Sequence, residues 1–328
     1  MNDIDKVAVC SRSFSKNITL REELLRKYKN VTFNDDGIKF DKEGLIEFLD
    51  GHDKAIIALE NIDDFVLSRL PSLKIVSKYG VGLDTINLES MEKYGISLGW
   101  EGGVNKRSVS ELVVSYAIAL LHRTVYSNAE VRRGLWYQVI GRQLSSCTVG
   151  IIGCGNIGKD VIKLLKPFKC KFVAHDLLYF KKFYQENHVK SVSLEKLLSV
   201  SDVVTLHLPL DSSTRNILNA SNLKFLKNNS VLINLARGGL VDEKELRIML
   251  EAGRISGIAL DVLEKEPLND LSFSEEDNVL ITPHIGGSTE ESIINMGLSA
   301  IKGLDNYYNP FHFSKPYSIA PQQIKTTI

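Results

Sequence analysis

The sequence has no excess of charge of either sign and no long apolar run. Its 328 residues include 40 lysines plus arginines and 40 aspartates plus glutamates, so the formal net charge is zero. A balanced charge removes the electrostatic attraction that drives binding to nucleic acid or to anionic membranes. No apolar stretch approaches the length of a membrane span, and residues 1–20 lack the core of a signal peptide. We therefore expect a cytoplasmic protein that binds neither nucleic acid nor membrane.

Cysteine is also scarce, with four residues in the whole chain. Cys10, Cys147, Cys154 and Cys170 show no metal-ligand spacing and lie in or beside apolar segments. They are typical of reduced, small apolar residues in a cytosolic protein, and we expect no metal site. Cys154 lies inside a glycine-rich segment, where packing is favoured over a reactive thiol. Repeats and low-complexity stretches are absent as well.

Apolar runs alternate with helical patterns along the chain, which is typical of an α/β protein with parallel sheets. The predicted strands are Val7–Cys10, Lys54–Leu59, Leu73–Ser77, Ile96–Leu98, Lys171–His175, Val203–Leu208, Ser230–Leu235, Gly257–Val262 and Val279–Thr282. The predicted helices are Leu20–Tyr28, Lys42–Leu49, Asp63–Leu70, Leu88–Tyr94, Lys159–Phe168, Leu194–Val200, Ser221–Lys227 and Asp242–Ala252.

Two longer helical patterns indicate how the chain divides into domains. The first runs from Asn105 to about Arg133 and the second from Glu290 to Tyr307. A glycine-rich segment typical of nucleotide binding arrives only near residue 150, so the opening α/β segment predicts a separate domain. We place one domain at residues 1–101 plus 290–328 and the other at residues 102–289.

The segment Val149–Gly158 contains the pattern G-x-G-x-x-G between an apolar strand and a helix. Gly153 permits a tight turn, Gly155 lets a dinucleotide pyrophosphate approach the backbone, and Gly158 lets helix and strand pack closely. A second strand follows and ends at Asp176, whose carboxylate is placed for ribose hydroxyls and would repel a 2′-phosphate. The pattern predicts NAD binding, and the alternative is a glycine-rich turn of another α/β protein.

Three further predicted strands deliver an arginine, carboxylates and a histidine to one edge of the sheet, where open α/β sheets bind ligands. Arg237 can bind a carboxylate or carbonyl oxygen in a forked geometry. His284 can exchange a proton with a substrate oxygen, and Glu266 can accept the other imidazole N–H. Taken singly these signals are weak, because such a histidine or arginine is often structural. We interpret His207 as a residue that places the backbone near the cofactor.

Motifs in the same order resemble those of the D-2-hydroxyacid dehydrogenase family, in its phosphoglycerate-dehydrogenase-like branch, over about residues 54 to 305. The segments that carry the resemblance are Lys78–Asp84, Asn105–Glu111, the glycine segment with Asp176, His207–Leu210, Asn234–Gly239, Ala259–Val262, Glu266-Pro267 and Pro283–Thr289. The resemblance implies two Rossmann-like domains with the active site in the cleft between them. The substrate-binding domain would be the flavodoxin-like one at 1–101 plus 290–328, and residues 102–289 would bind NAD.

The resemblance also implies roles for particular residues. Catalysis would rest on Arg237, Glu266 and His284. Substrate would bind to Gly80, Val81, Gly82, Asn105 and Arg237. Cofactor contacts would come from Gly153, Gly155, Asn156, Ile157, Gly158, Asp176, His207, Pro209, Leu235, Ala236, Arg237, Asp261, His284, Gly286 and Gly287. Asp261 would contact the nicotinamide amide. The family further implies a homodimer joined through the NAD-binding domains.

Two departures from the family pattern concern the substrate. Gly99-Trp100-Glu101-Gly102-Gly103 replaces a Thr-Pro or Ala-Pro step, and Leu59-Glu60-Asn61-Ile62 lacks the arginines expected to hold a phosphate. The best single substrate remains 3-phosphoglycerate, with glyoxylate or hydroxypyruvate as the alternative. A dinucleotide-sensing protein of the corepressor type is a second alternative, and the Arg237, Glu266 and His284 set argues against it.

Overall fold

The computed structural model describes residues 2–268, 273 and 278–313, and the chain divides into two compact units. Unit 1 comprises Met1–Asn105 and Glu290–Ile328, and unit 2 comprises Lys106–Thr289. The sequence predicts boundaries after residues 101 and 289, whereas the observed ones follow residues 105 and 289. The molecule is an α/β protein with one parallel sheet in each unit.

The strands are β1 (Asn2–Val9), β2 (Tyr28–Phe33), β3 (Lys54–Ile57), β4 (Ile75–Lys78), β5 (Ser97–Gly99), β6 (Thr148–Ile152), β7 (Lys171–His175), β8 (Val189–Ser191), β9 (Val203–Leu206), β10 (Ser230–Asn234), β11 (Ile255–Leu260) and β12 (Val279–Ile281). Unit 1 has the order β2-β1-β3-β4-β5 and unit 2 the order β12-β11-β10-β9-β6-β7-β8. The first is the flavodoxin-like order, and the second contains the Rossmann order around β6.

The helices are α1 (Arg12–Lys16), α2 (Ile18–Leu25), α3 (Lys42–Leu49), α4 (Asp64–Leu67), α5 (Leu88–Lys93), α6 (Lys106–Leu121), α7 (Thr124–Arg132), α8 (Asn156–Leu165), α9 (Lys181–Glu186), α10 (Leu194–Val200), α11 (Ala220–Leu223), α12 (Glu243–Glu251) and α13 (Glu290–Gly303). Asp242 caps α12 by accepting from the backbone N–H groups of Lys244 and Glu245. In the described part of the chain, no helix combines the length and apolarity needed to cross a bilayer.

Adjacent residues of the unit 2 strands pack on opposite faces of the sheet. Ile151 joins the core under α6 and α8, whereas its neighbour Ile152 joins the core under α10 and α12. Val203 and Val204 divide in the same way. Because both faces are covered, these strands contain apolar residues at consecutive positions, which explains why they are recognisable in the sequence.

The predicted helix from Asn105 to Arg133 is wrong in its length, because the structure has two helices there. Arg123 has a φ of 55°, a left-handed conformation that ends α6 before α7 begins. The backbone N–H of Arg142 donates to the carbonyl of Leu121 at 2.9 Å. In a continuing helix, the carbonyl of Leu121 would accept from the N–H four residues later along the chain. Here the N–H of Arg142, which is distant in sequence, replaces that local donor.

The predicted helix Leu20–Tyr28 is also too long. It ends at Leu25, and Tyr28 instead begins β2, which the sequence-based prediction misses. Tyr28 is buried and pairs with Asn2 in the parallel ladder, while its hydroxyl donates to Asp305 and accepts from Lys54 at 3.0 Å. The strand pairing and the side-chain hydrogen bonds of Tyr28 are long-range contacts, which a local helical pattern does not predict.

Candidate active site

The glycine segment forms the turn between β6 and α8. Gly153 has a φ of 90°, and a Cβ at this position would lie 2.7 Å from the carbonyl oxygen of His207. A Cβ on Gly158 would lie 2.3 Å from the carbonyl oxygen of Gly153. At Gly155, in contrast, a Cβ would meet no atom within 4 Å. Two glycines are thus required by packing, and the third leaves open space above the turn.

The start of α8 presents backbone N–H groups with no partner. The N–H groups of Gly155, Asn156 and Ile157 donate to no acceptor among the described residues, and no side chain caps the helix. Unpaired N–H groups at a helix N-terminus attract an anion, because the helix dipole adds to their partial charge. The donors and the open space at Gly155 therefore fit the pyrophosphate of a dinucleotide.

Asp176 follows β7 and lies beside this turn. Its Oδ2 accepts from the N–H of Cys154 at 2.6 Å, and its Oδ1 accepts from the N–H of Leu178 at 2.7 Å. Each carboxylate oxygen keeps a second acceptor position for a hydroxyl group. Cys154 itself is fully buried, and burial raises the pKa of its thiol to about 11, so the thiol remains protonated and unreactive at neutral pH.

His207 follows β9 and supports the glycine turn through its backbone. Its N–H donates to the carbonyl of Ile152 at 2.7 Å, and its Nε2 lies 3.1 Å from the hydroxyl of Thr205. Burial lowers the pKa of His207 to about 3, so the imidazole stays neutral at physiological pH. Pro209 follows in the same loop, where its carbonyl accepts from the hydroxyl of Thr214 at 2.8 Å.

Asn234 shapes the loop that carries Arg237, a role that the sequence analysis does not assign. Its Oδ1 accepts from the N–H of Ala236 at 3.1 Å, and its Nδ2 donates to the carbonyl of Arg237 at 2.8 Å. Leu235 and Ala236 are buried in this loop. An amide at the end of an otherwise apolar, buried strand is the sequence signal that could have identified Asn234, since buried polar groups need partners.

His284 and Glu266 lie together at the same edge of the sheet. The Nδ1 of His284 is 3.0 Å from the Oε2 of Glu266, and both side chains are partly exposed. The second oxygen, Oε1 of Glu266, accepts from the N–H of Leu263 at 3.0 Å, which fixes the carboxylate. The loop of Glu266 also touches the arginine loop, because a Cβ on Gly238 would lie 2.0 Å from the carbonyl oxygen of Leu263.

The carboxylate of Asp261 binds the backbone of the loop that carries His284. It is 1% exposed, and its Oδ1 accepts from the hydroxyl of Thr282 at 2.5 Å and from the N–H of Ile285 at 2.7 Å. Its Oδ2 accepts from the N–H of Gly286 at 2.7 Å. Its main-chain carbonyl accepts from the N–H of His284 at 2.9 Å. The sequence motifs do not predict this supporting role of Asp261 and Thr282. Gly287 follows Gly286 in the same loop.

Unit 1 contains the second group of predicted residues, in the loop after β4. The N–H groups of Gly80, Val81 and Gly82 donate to no acceptor in residues 2–268, 273 and 278–313. Gly80 has a φ of 135°, a conformation that favours glycine. At the end of unit 1, the side-chain Oδ1 of Asn105 is buried and accepts no hydrogen bond from the described residues. The loop thus leaves three N–H donors available to a ligand, and the Oδ1 of Asn105 is a buried acceptor.

Comparison with known proteins agrees with this arrangement. Residues 114–286 match the family model described as D-isomer specific 2-hydroxyacid dehydrogenase, NAD binding domain. The chain is 34% identical to a D-3-phosphoglycerate dehydrogenase of Methanocaldococcus jannaschii over 76% of this chain and 49% of that protein. It is 33% identical to a glyoxylate reductase of Thermococcus litoralis over 76% of this chain and 78% of that protein.

The fold is similar to that of solved members of the same group. A D-lactate dehydrogenase from Aquifex aeolicus, complexed with NAD and lactic acid, has a TM-score of 0.79 and 26% identity, covering 92% of this chain and 94% of that one. The chain spans about half the length of the curated phosphoglycerate dehydrogenases it matches. With its matching family model and its similarity to the glyoxylate reductase, this chain belongs to the D-isomer specific 2-hydroxyacid dehydrogenase family.

Proposed function

We propose that the protein is an NAD-dependent oxidoreductase that interconverts a 2-oxo acid and a D-2-hydroxy acid by hydride transfer. The observation that carries the proposal is the 3.0 Å contact between His284 and Glu266 at the sheet edge that also holds the glycine turn. An imidazole oriented by a carboxylate is suited to general acid–base chemistry. Bound NAD would supply the hydride acceptor, and NADH the donor.

Glu266 sets the tautomer of His284 in this proposal. Because Nδ1 donates to Oε2 of Glu266, Nε2 is the ring nitrogen that exchanges a proton with substrate. In reduction, Nε2–H gives its proton to the carbonyl oxygen of the 2-oxo acid; in oxidation, Nε2 takes the hydroxyl proton. Arg237 binds the substrate's carboxylate or carbonyl oxygen through its guanidinium. The N–H groups of Gly80, Val81 and Gly82, with Asn105, bind the carboxylate.

The cofactor is held by the glycine turn and the loops around it. The N–H groups of Gly155, Asn156 and Ile157 would bind the pyrophosphate, and Asp176 would accept from the ribose hydroxyls. The negative charge of Asp176 favours NAD over NADP, because it would repel a 2′-phosphate. The remaining proposed cofactor contacts are Gly153, Gly158, His207, Pro209, Leu235, Ala236, Arg237, Asp261, His284, Gly286 and Gly287.

The leading candidate substrate is 3-phosphoglycerate, with 3-phosphohydroxypyruvate as its oxidised form. Similarity to phosphoglycerate dehydrogenases supports this choice. Glyoxylate or hydroxypyruvate is the second candidate, which the loop after β3 favours. There the carboxylate of Glu60 accepts from the N–H of Ala58 at 2.6 Å, and a negative charge at this place opposes a phosphate.

A substrate panel tests the proposed reaction. NADH oxidation is followed with 3-phosphohydroxypyruvate, hydroxypyruvate, glyoxylate and pyruvate, and NADPH serves as the matched cofactor control. We expect turnover with at least one acid, a strong preference for NADH, and the D isomer as the chiral product. Tight NADH binding without turnover of any acid would instead support a dinucleotide-sensing protein of the corepressor type.

We also propose that the protein is a homodimer joined through unit 2. The segment after α7 exposes four large apolar side chains, with Trp136 90% exposed and Ile140 94% exposed, beside Leu135 and Tyr137. Contiguous exposed apolar groups commonly mark a protein–protein interface. Light scattering of the wild-type chain should give the mass of a dimer, and Ile140→Asp should shift it toward the monomer. A monomeric wild-type protein would refute this assembly.

A further inference from the structure

Trp100 directly contacts the loop of Gly80, Val81 and Gly82. The loop follows β4 and Trp100 follows β5, and these neighbouring parallel strands pair Ser77 with Gly99. Residues that leave the two strands therefore lie at the same edge of the unit 1 sheet. There the indole Nε1 donates to the carbonyl oxygen of Val81 at 2.9 Å.

This hydrogen bond determines the orientation of the peptide between Val81 and Gly82. The peptide is trans, so its C=O and its N–H point in opposite directions. When the indole holds the carbonyl, the N–H of Gly82 is directed away from Trp100. That N–H has no acceptor among the described residues, as is true of the N–H groups of Gly80 and Val81. The indole thus orients a donor that is available to a ligand.

Lys78, the last residue of β4, is a second support of the loop. Its side chain is almost fully buried, and its ammonium group donates to the carbonyl of Ala58 and to the hydroxyl of Thr85, the latter at 3.1 Å. The Cε of Lys78 would lie 3.6 Å from a Cβ on Gly80. The loop is therefore held near both of its ends, and Trp100 is the support that contacts its central residue.

We propose that Trp100 is a positioning residue for the substrate carboxylate, acting through the Val81–Gly82 peptide. The inference rests on the proposed function, in which this loop binds the carboxylate of a 2-oxo acid. Without the indole N–H, the peptide can rotate and the Gly82 donor is no longer pre-oriented. A single hydrogen bond of this kind corresponds to a loss of about threefold to tenfold in affinity for the acid.

Trp100→Phe tests the proposal kinetically, because phenylalanine keeps an aromatic ring and removes only the N–H donor and the second ring. We expect the KM for the 2-oxo acid to rise about threefold to tenfold. Turnover, the KM for NADH and the melting temperature should change little. An unchanged KM for the acid would overturn the proposal. A parallel loss of turnover, NADH affinity and melting temperature would also overturn it, since that pattern indicates a purely structural role.

Fluorescence gives a second test that needs no turnover, and its first arm uses a variant that keeps Trp100. The chain has two tryptophans, so Trp136→Phe leaves Trp100 as the only indole. Oxalate, a dicarboxylate that mimics a 2-oxo acid, is titrated in the presence of NAD. We expect a saturable change in emission for Trp136→Phe and none for Trp100→Phe, which retains only Trp136. No change in Trp136→Phe, or equal changes in both variants, would overturn the proposal.

The two tests separate this inference from the proposed function. If the wild-type protein turns over no 2-oxo acid, the proposed function fails, and the oxalate titration still decides whether Trp100 reports a carboxylate at the loop. If the wild-type protein is active and Trp100→Phe has an unchanged KM for the acid, the inference fails while the proposed function stands.

Discussion

Asp261→Asn should weaken both the fold of unit 2 and catalysis. The carboxylate is 1% exposed and accepts from the hydroxyl of Thr282 and from the N–H groups of Ile285 and Gly286. An asparagine oxygen can keep the first two bonds, but its NH₂ group then faces the N–H of Gly286. Losing a charge-assisted bond and leaving a buried donor unpaired each cost about 1–3 kcal/mol. We therefore expect the free energy of unfolding to fall by a total of about 3 kcal/mol.

The activity should fall together with the stability, because Ile285 and Gly286 directly follow His284. Loosening the bonds of these two residues allows the imidazole to shift relative to substrate, and a displacement of about 1 Å can cost up to about a hundredfold in turnover. We therefore expect Asp261→Asn to have a turnover about tenfold to a hundredfold below wild type. Urea unfolding gives the stability, and steady-state NADH oxidation gives the turnover.

Tyr116→Phe is the matched control for this prediction. The hydroxyl of Thr282 uses its hydrogen for Asp261, so the hydroxyl of Tyr116, 2.8 Å away, donates to Thr282. Removing this outer bond should cost about 1 kcal/mol of stability and leave turnover near the wild-type value. The reasoning would be refuted if Asp261→Asn unfolded within about 1 kcal/mol of wild type and retained wild-type turnover.

Three further predictions concern the cofactor, the substrate and acid stability. Asp176→Ser should reduce the preference for NADH over NADPH, measured as the ratio of the two kcat/KM values, because the charge that repels a 2′-phosphate is gone; an unchanged ratio would contradict this. Arg237→Lys should raise the KM for the acid and lower turnover, since lysine cannot form the forked contact; native kinetics would assign the arginine another role. Burial opposes the charge of Asp202, but hydrogen bonds from Arg142 and Lys227 outweigh burial and hold its pKa below the usual value. The ionised carboxylate of Asp202 therefore stabilises the fold above about pH 4, and this stabilisation is lost at lower pH. The difference in unfolding free energy between wild type and Asp202→Asn should be largest near pH 7 and shrink toward about pH 3. A difference independent of pH would exclude the ionised carboxylate as its source.

The sequence was informative where the chain's neighbours in space are also its neighbours in sequence. The strand, glycine turn, helix and second strand around Gly153 and Asp176 form one continuous unit, so its pattern predicts its shape. Residues at the ends of parallel strands were predictable for a related reason, because the carboxyl ends of these strands share one edge of the sheet.

The remaining features depend on contacts between distant segments. The break at Arg123 is accompanied by a bond from Arg142 to Leu121, and the contact of Trp100 with Val81 joins the segments that follow two strands. The bonds from Asp261 to the loop after Thr282 are likewise formed only in the folded chain. Local patterns carry no signal for such bonds, because the two partners are far apart in sequence and each alone is an ordinary backbone group or side chain.

The turnover of His284→Gln tests the central claim, that His284 moves the substrate proton, most directly. NADH oxidation is measured with the best 2-oxo acid of the panel, and the NADH dissociation constant is determined on the same preparation. We expect turnover to fall about a hundredfold to ten-thousandfold while NADH binds as in wild type, because glutamine cannot exchange the proton. Near-native turnover in His284→Gln would contradict the account.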